Sequence, residues 1–401
     1  MRKILFLHHY NSSVGAGLSF LHILQSIDRT ENELLVCLPK IKGDLDKKII
    51  EMGIRVIYSD AVVPYMHFSG SNMLFFSKRN LSNFLKISKA KAELKEVISN
   101  ESPDCVAVNS LTLFWVGKIA KQLNKKAICF HRETYDHGLF GVRCEWMKKE
   151  LSKYFDAIAF LSNYDLQSTP SGTGKYVRIT DKVDVQAYES LTKNGCREKL
   201  GLPKDEKLVL YVGGVSALKG PLTAIKALKW VDNIKLVFLQ YKPKSLNSFK
   251  ERLKYIAKIL MNKNLLYKID RLVKKEKLQD RIIFRPATDK VEEYFVACDA
   301  VIFPSMQAHQ SRPVYEAGIA KKPVAITDFE NTQEFLDETN GWLFEKGNAR
   351  ILAEKIKEMF LDDASARCEE NYKRAFATNN LERLPVEIRE LFETVFMEAA
   401  K

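Results

Sequence analysis

The stretch that decides the fold prediction is LVLYVGGVSALKGPLTAIKAL, residues Leu208–Leu228. Its apolar start predicts a buried strand over Leu208–Val212, which leads into the glycine pair Gly213-Gly214. A short loop with Lys219 follows, and apolar residues at helical spacing then predict a helix. Paired glycines let backbone approach a ligand closely, and a helix N-terminus supplies free N–H groups. The segment therefore predicts a diphosphate site, with an ordinary strand-to-helix turn as the alternative; neither GxxxxGK[ST] nor GxGxxG is present.

Strand-like and helix-like segments alternate on both sides of this stretch, which is typical of parallel sheets covered by helices. A chain of 401 residues is also too long for one simple core. We therefore expect two Rossmann-like α/β domains with parallel sheets facing across a cleft, and a linker between Thr169 and Lys207. The predicted boundaries are 1–185, 186–370 and a C-terminal helical segment, 371–401, that crosses back to the first domain.

Composition limits the class of protein. Apolar residues make up 46% of the chain and aromatic residues 10%, as in globular domains, and no apolar run is long enough to span a membrane. The start, MRKILFLHHYNSS, is short and interrupted by His8-His9, so it reads as a first strand rather than a signal peptide. Seven scattered cysteines without a CxxC pair indicate reduced, buried thiols in a cytoplasmic protein.

The positive charge is concentrated in two stretches. The net charge is +13, of which Tyr241–Arg281 contributes +9 and Phe75–Val97 contributes +4. Both stretches have apolar residues at roughly helical spacing, and basic amphipathic helices suit an anionic membrane surface. Solvated helix faces are the alternative. Nucleic acid is not the expected partner, because no recognition motif accompanies the charge.

Two segments resemble a known family. CREKLGLPKDEKLVLYVGGVSALKGPLTAIKAL, residues 196–228, and CDAVIFPSMQAHQSRPVYEAGIAKKPVAITDFENTQEFLDETNGWLF, residues 298–344, are similar to nucleotide-sugar-dependent glycosyltransferases of the GT-B fold, family 4 type. The second segment is the more specific match. The N-terminal half matches only as a pattern of strands, with a glycine loop and His131 in the expected places.

The resemblance assigns roles to residues at matching positions. It implies that Glu316 holds the ribose hydroxyls, that Lys219 faces the diphosphate, and that His131 lies near the donor sugar, so these three are the candidate catalytic residues. Without the family resemblance, Glu316 would be interpreted as a carboxylate that interacts with the helix dipole, and His131 as a structural histidine. The candidate donor-binding residues are Gly15, Gly17, Gly213, Gly214, Ser311, Arg312, Pro313, Val314 and Glu316.

Other polar positions leave alternatives open. Arg132 and Glu133 follow His131 and either face the acceptor or pair with each other. Backbone N–H groups near Gly213 and Val314 are expected to stabilise the departing diphosphate. Glu334 matches an acidic position of the family, or is another carboxylate at a helix start.

The sequence departs from the family pattern at two positions. Ala308 stands where the family commonly has a second glutamate, with Gln307 and His309 beside it. Gly214 stands where the family often has arginine, which leaves Lys219 as the evident cation. These two departures are consistent with an unusual donor or a rearranged site. They also leave open that the protein is a catalytically inactive relative of the family, one that binds nucleotide sugar or stabilises a partner enzyme.

No metal site or cofactor is expected beyond the nucleotide-sugar substrate. The only DxD, Asp44-Leu45-Asp46, falls at a predicted helix start, and no HExxH motif occurs. The resemblance implies a retaining, metal-independent hexosyltransferase in the cytoplasm. The placement of the basic stretches suggests a glycan or lipid-linked acceptor held at the inner membrane face, a setting that fits bacterial surface polysaccharide assembly. A sugar-nucleotide epimerase of the same fold is a further alternative.

Overall fold

The computed structural model describes residues 1–65, 78–135, 141–241, 264–308, 310–361 and 364–397. The chain forms two compact units, one of Met1–Lys182 with Leu381–Lys401 and one of Val183–Asn380. Most of the basic stretch between residues 241 and 281, the first residues of the stretch from 75 to 97, and His309 lie outside the described residues.

The first unit is built on a seven-stranded parallel sheet. Its strand order is β3-β2-β1-β4-β5-β6-β7, so the order reverses between β1 and β4. The strands are β1 (Arg2–Leu7), β2 (Asn32–Leu38), β3 (Arg55–Tyr58), β4 (Cys105–Val108), β5 (Lys126–His131), β6 (Ala157–Phe160) and β7 (Lys175–Arg178). The described helices are α1 (Ala16–Ser26), α2 (Leu45–Glu51), α3 (Lys78–Glu101), α4 (Val116–Gln122), α5 (Val142–Tyr154) and α6 (Asn163–Gln167).

The second unit has a six-stranded parallel sheet of order β10-β9-β8-β11-β12-β13. Its strands are β8 (Lys207–Tyr211), β9 (Ile234–Phe238), β10 (Ile282–Phe284), β11 (Ala300–Phe303), β12 (Val324–Thr327) and β13 (Trp342–Phe344). Its described helices are α7 (Gln186–Glu189), α8 (Lys193–Leu200), α9 (Pro221–Ala227), α10 (Leu265–Lys275), α11 (Val291–Ala297), α12 (Arg312–Ile319), α13 (Ala349–Glu358) and α14 (Ala364–Asn379). These two parallel α/β units confirm the predicted fold class.

The C-terminal segment differs from its predicted extent. We expected one helical tail that leaves the second domain at residue 371, but α14 stays in the second unit, and only α15 (Leu384–Met397) joins the first. Leu384, Ile388 and Leu391 of α15 are buried in the core that also contains Phe20 and Leu24 of α1. These positions are four and three residues apart, so they lie on one face of α15 and complete the core on one side of the first sheet.

The predicted linker is also more structured than expected. The polar segment from Thr169 to Lys207 contains the edge strand β7 and the helices α7 and α8. Strand β7 has no buried residue and pairs with β6 from Lys175 to Arg178, which explains why its hydrophobic pattern is weak. The change of unit falls between Lys182 and Val183 rather than at residue 185.

Two global properties follow from the described residues. All seven cysteines are buried with free thiols, as predicted. Within the described ranges, no helix combines the length and apolar character that crossing a bilayer requires.

Candidate functional site

The loop after β8 is shaped by glycines that leave no room for a side chain. A Cβ on Gly213 would lie 2.3 Å from the Tyr211 hydroxyl oxygen, and a Cβ on Gly220 would lie 1.8 Å from the Pro304 carbonyl oxygen. Gly214 and Gly220 also have φ values of 60° and 67°, in the left-handed region that favours glycine. The buried Tyr211 hydroxyl can donate to the carbonyl oxygens of Gly214 (3.0 Å) and Lys219 (3.2 Å), which closes the loop.

This loop lies where the strand order reverses. Strand β8 pairs with β9 on one side and β11 on the other, and in open α/β sheets ligands bind beyond the carboxyl ends of the strands at such a point. The loop after β11 is joined to the loop after β8: the Met306 N–H donates to the Leu218 carbonyl oxygen at 2.8 Å, and the Ser305 hydroxyl lies 3.2 Å from the same oxygen. The two loops therefore form one surface above the sheet.

Lys219 supplies a cation to this surface. Its Nζ lies 4.8 Å from the centre of the Phe303 ring, at the carboxyl end of β11. Burial lowers the pKa of Lys219 to about 7, because an ammonium group loses hydration when it leaves water. An anion bound beside Lys219 would restore the charged form. The lysine and the glycine loop thus occupy the position predicted for a diphosphate site.

Glu316 lies in the first turns of α12 and is 6% exposed. The Arg312 Nε donates to the Glu316 Oε1 at 3.0 Å, an ion pair between residues one helical turn apart. Pro313 occupies the first turn of the helix, where its missing N–H costs nothing. The Val314 N–H, which we expected to stabilise the leaving group, donates to the Ser311 carbonyl oxygen at 2.8 Å within the same turn.

The position of α12 is fixed by its packing on α14. A Cβ on Gly318 would lie 2.9 Å from the Cβ of Ala375, so the two helices approach closely at that glycine. The Asn371 side-chain amide donates to the Val314 carbonyl oxygen at 3.1 Å. This contact anchors the turn that carries Arg312 and Glu316.

Glu334 lies in a separate 3-10 turn, Thr332–Glu334, after β12.

In the first unit, the glycine loop after β1 is also sterically required. A Cβ on Gly17 would lie 1.8 Å from the Ser12 carbonyl oxygen, and Gly15 has a φ of 62°. The loop is held by Asp44, whose carboxylate accepts from the Ser13 N–H at 3.0 Å and from its hydroxyl at 2.6 Å. Asp44 directly precedes α2, as predicted, but its carboxylate holds the glycine loop and does not cap the helix.

His131 ends β5, but it is fully buried rather than exposed at a surface. Its ring lies 4.6 Å from the Tyr135 ring and 4.9 Å from the Phe160 ring, centre to centre. The imidazole ring therefore packs against aromatic side chains of the first unit. Its catalytic role remains a prediction from the resemblance.

Arg132 and Glu133 do not form the ion pair with each other that was one of the two expected outcomes. Arg132 pairs with Asp181, which also accepts from the Ser19 hydroxyl at 2.6 Å. Glu133 accepts from the Ser110 hydroxyl at 2.6 Å and from a backbone N–H of the same loop at 2.7 Å. Burial raises the pKa of Glu133. Glu133 thus joins the loop after β5 to the loop after the neighbouring β4, and Arg132 joins it to the segment after β7.

His8 and Asn109 meet where the strand order of the first sheet reverses, and sequence reasoning assigned them no role. The His8 Nδ1 lies 3.1 Å from the Asn109 Nδ2, and burial lowers the pKa of His8 to about 3. The signal in the sequence was their position directly after β1 and β4.

The described part of the chain contains no group of three or more His, Cys, Asp or Glu side chains arranged to hold a metal ion.

Comparison with known proteins finds a family match within the second unit. Residues 193–375 match the family model described as "Glycosyl transferases group 1". A D-inositol 3-phosphate glycosyltransferase from Xylanimonas cellulosilytica is 24% identical over 179 residues, which cover 44% of this chain. The aligned region spans 39% of that relative's length.

Solved structures match nearly the whole chain. HepE from Anabaena, in complex with UDP and glucose, has a TM-score of 0.75 at 17% identity and covers 98% of this chain and 100% of its own. Sucrose-phosphate synthase from Thermosynechococcus elongatus has a TM-score of 0.73 at 18% identity, with both chains fully covered. At these identities the likeness is one of fold.

Proposed function

We propose that this protein transfers a sugar from a nucleotide-diphosphate donor to an acceptor hydroxyl, since residues 193–375 match the family model of group 1 glycosyl transferases and the chain has the GT-B fold. The observation that carries the proposal lies within the matched residues. There the glycine loop with Lys219 lies above the reversal point of the second sheet, joined to the loop that leads to Glu316. A glycine loop, a cation and a buried carboxylate suit a diphosphate and ribose hydroxyls.

The chemistry requires stabilisation of the leaving group. Breaking the anomeric bond leaves negative charge on the departing nucleoside diphosphate, so a preorganised cation and N–H donors lower the barrier. Lys219 and the backbone around Gly213-Gly214 are the groups we assign to this role. Removing one comparable donor from an enzyme costs roughly 3–4 kcal/mol of barrier. We assign Glu316 to the ribose and Arg312 to holding its carboxylate in place.

UDP-glucose is the first donor to test, because HepE, a fold neighbour, was solved in complex with it. We further propose a retaining, metal-independent hexosyl transfer, as the resemblance to the family 4 type implies. Bacterial surface polysaccharide assembly in the cytoplasm or at the inner membrane face is the setting we infer. The acceptor would be a glycan or a lipid-linked glycan.

A membrane surface contact belongs to this proposal. Leu81 and Leu85, on one face of α3, are 60% and 57% exposed. Lys86 and Lys89 are exposed on the same helix. Exposed leucines beside lysines suit insertion at an anionic lipid interface, where each well-placed cation adds about 1 kcal/mol.

The proposal is tested by donor binding and turnover. We expect UDP-glucose, or another nucleotide sugar in a panel of UDP-, GDP-, ADP-, CMP- and TDP-sugars, to raise the unfolding temperature of the wild-type protein. Lys219→Ala and Glu316→Gln should each weaken that binding by at least tenfold in calorimetry, because each removes a charged contact.

Matched controls exist in the same unit. Lys207 also lies over an aromatic ring, with its Nζ 4.9 Å from the centre of the Phe360 ring, but at the start of β8. Glu293 is also 6% exposed and paired with a cation, Lys199. Lys207→Ala and Glu293→Gln should leave donor affinity unchanged. Equal losses in the control variants, or no binding of any donor, would contradict the site.

A non-catalytic nucleotide-sugar-binding function is the second candidate. Ala308, which replaces the family's upstream glutamate, is the specific observation in its favour. The two functions differ in turnover. Slow release of free sugar from the bound donor supports a transferase, whereas tight donor binding without hydrolysis or transfer supports the binding function.

A further inference from the structure

The turn after β12 holds three buried polar atoms that lack a hydrogen-bond partner within the described part of the chain. They are the Thr327 Oγ1 and both polar atoms of the Asn331 side chain, Oδ1 and Nδ2. Thr327 is 2% exposed and Asn331 is 1% exposed. Most buried polar groups in proteins are paired, because an unpaired one loses its hydration without compensation. Three such atoms within five residues therefore need a physical explanation.

The rest of the same turn is well bonded. The Phe329 N–H donates to the Thr332 hydroxyl oxygen at 3.0 Å, and the Thr332 N–H donates to the Phe329 carbonyl oxygen at 2.9 Å. The Thr332 hydroxyl in turn donates to the Thr327 carbonyl oxygen at 3.3 Å. The backbone is thus firmly held, and the unpaired atoms are confined to two side chains.

A second buried asparagine nearby shows the usual arrangement. Asn340 is also 1% exposed. Its amide donates to the Phe335 carbonyl oxygen at 3.1 Å and to the Asn371 Oδ1 at 3.2 Å, and its own Oδ1 accepts from the Asp337 N–H at 2.7 Å. Every polar side-chain atom of Asn340 is therefore hydrogen-bonded within the unit. The side-chain atoms of Asn331, which is equally buried, have no such partners among the described residues.

The unpaired atoms lie at the edge of the sheet that carries the donor site. Strand β12 pairs with β11, with Phe303 opposite Ile326. Thr327 is therefore level with Pro304, where the loop toward Glu316 begins. Parallel sheets bind their ligands at this carboxyl edge.

The kind of atom identifies the ligand group. The Asn331 Oδ1 only accepts, its Nδ2 only donates, and the Thr327 hydroxyl does both. An ionised diphosphate only accepts and so cannot pair with the Oδ1, whereas sugar hydroxyls both donate and accept. We propose that Asn331, assisted by Thr327, binds hydroxyl groups of the donor's sugar and determines which sugar is accepted. This inference rests on the proposed function. Because the atoms are closed to solvent, the turn around Phe329–Thr332 must shift when the sugar binds.

The test compares UDP with UDP-glucose, which differ only in the sugar. Asn331→Leu keeps the approximate shape and removes both unpaired atoms. We expect its UDP affinity to stay within twofold of wild type and its UDP-glucose affinity to fall at least tenfold. Its unfolding temperature without ligand should equal or exceed that of wild type. Thr327→Val should act in the same direction with a smaller loss, and amide exchange at Thr332 should rise with UDP-glucose but not with UDP.

Asn340→Leu is the matched control. It should lower the unfolding temperature, because it removes the hydrogen bonds that the Asn340 side chain makes in the folded chain. The ratio of UDP-glucose to UDP affinity should stay unchanged. An unchanged ratio in Asn331→Leu overturns the inference, as does an equal loss of UDP affinity. A destabilisation as large as that of Asn340→Leu would also overturn it, since the Asn331 amide would then be paired in the folded chain. Wild-type protein that binds neither nucleotide contradicts the proposed function itself.

Discussion

At the scale of single residues, Lys219 links donor binding to pH. Its pKa is lowered to about 7 by burial, and the ammonium form is the one that attracts a diphosphate. UDP-glucose affinity should therefore be highest below pH 7 and should fall by up to about tenfold per pH unit between pH 7 and pH 9. The diphosphate of UDP-glucose keeps a constant charge over this range, so the protein's own groups set the dependence.

Lys219→Arg provides the comparison for this prediction. Arginine stays protonated throughout, so the pH dependence of UDP-glucose binding should flatten in calorimetry. A wild-type affinity that is constant from pH 7 to pH 9, or one that falls equally in Lys219→Arg, would show that another group titrates.

Sequence reasoning located individual residues unevenly. Motif spacing correctly placed Gly213, Gly214 and Lys219 after a strand and Glu316 near a helix start, and their roles at a donor site stay predictions. It gave no reason to single out Asn331 or Thr327, because an unpaired buried atom becomes visible only once every neighbour is in place. His131 was found, but its full burial was not, since position at a strand end does not fix which way a side chain points.

At the scale of elements, the loop between β8 and α9 depends on Gly220. An alanine there would need a left-handed backbone, which costs roughly 1–2 kcal/mol, and its Cβ would meet the Pro304 carbonyl oxygen at 1.8 Å. We expect Gly220→Ala to lower the free energy of unfolding, measured by urea titration, by more than about 2 kcal/mol. The loss combines the cost of the left-handed backbone with the clash of the new Cβ against the Pro304 carbonyl oxygen. The substitution should also abolish donor binding, because the joined loops must separate.

Gly201→Ala measures the cost of the left-handed backbone alone, without a steric clash. Gly201 has a φ of 58°, and no atom lies within 4 Å of a Cβ built there. This variant should lose only about 1–2 kcal/mol of unfolding free energy and keep its donor affinity. Equal effects of the two variants on stability would mean that the Pro304 contact relaxes at little cost.

Elements with strong patterns were predicted well. Strand β8 was expected from Leu208 to Val212 and runs from Lys207 to Tyr211. The weak elements were missed for a physical reason: β7 lies at a sheet edge with no buried residue, so its sequence carries little hydrophobic pattern. The expected C-terminal helical segment, 371–401, is interrupted near Asn380, where the chain passes from one unit to the other. Local periodicity does not record such a tertiary feature.

At the scale of the whole molecule, membrane association is the property to test. We expect the protein to sediment with vesicles of phosphatidylglycerol, and less so as salt rises, because lysines provide part of the attraction. Replacing Leu81 and Leu85 together by serine should reduce the bound fraction severalfold. Leu361→Ser, which changes a leucine that is also 60% exposed, should have no effect. Absence of sedimentation, or equal binding to neutral vesicles, would contradict the proposed contact.

The return of α15 to the first unit has a consequence for synthesis. A ribosome delivers residues 183–380, a continuous unit with its own core, before it delivers Leu384 and Ile388. Until those side chains emerge, the face of the first sheet around Phe20 and Leu24 remains open to water. Residues 183–380 can therefore reach their final structure during translation, whereas residues 1–182 complete their core only after α15 has been made.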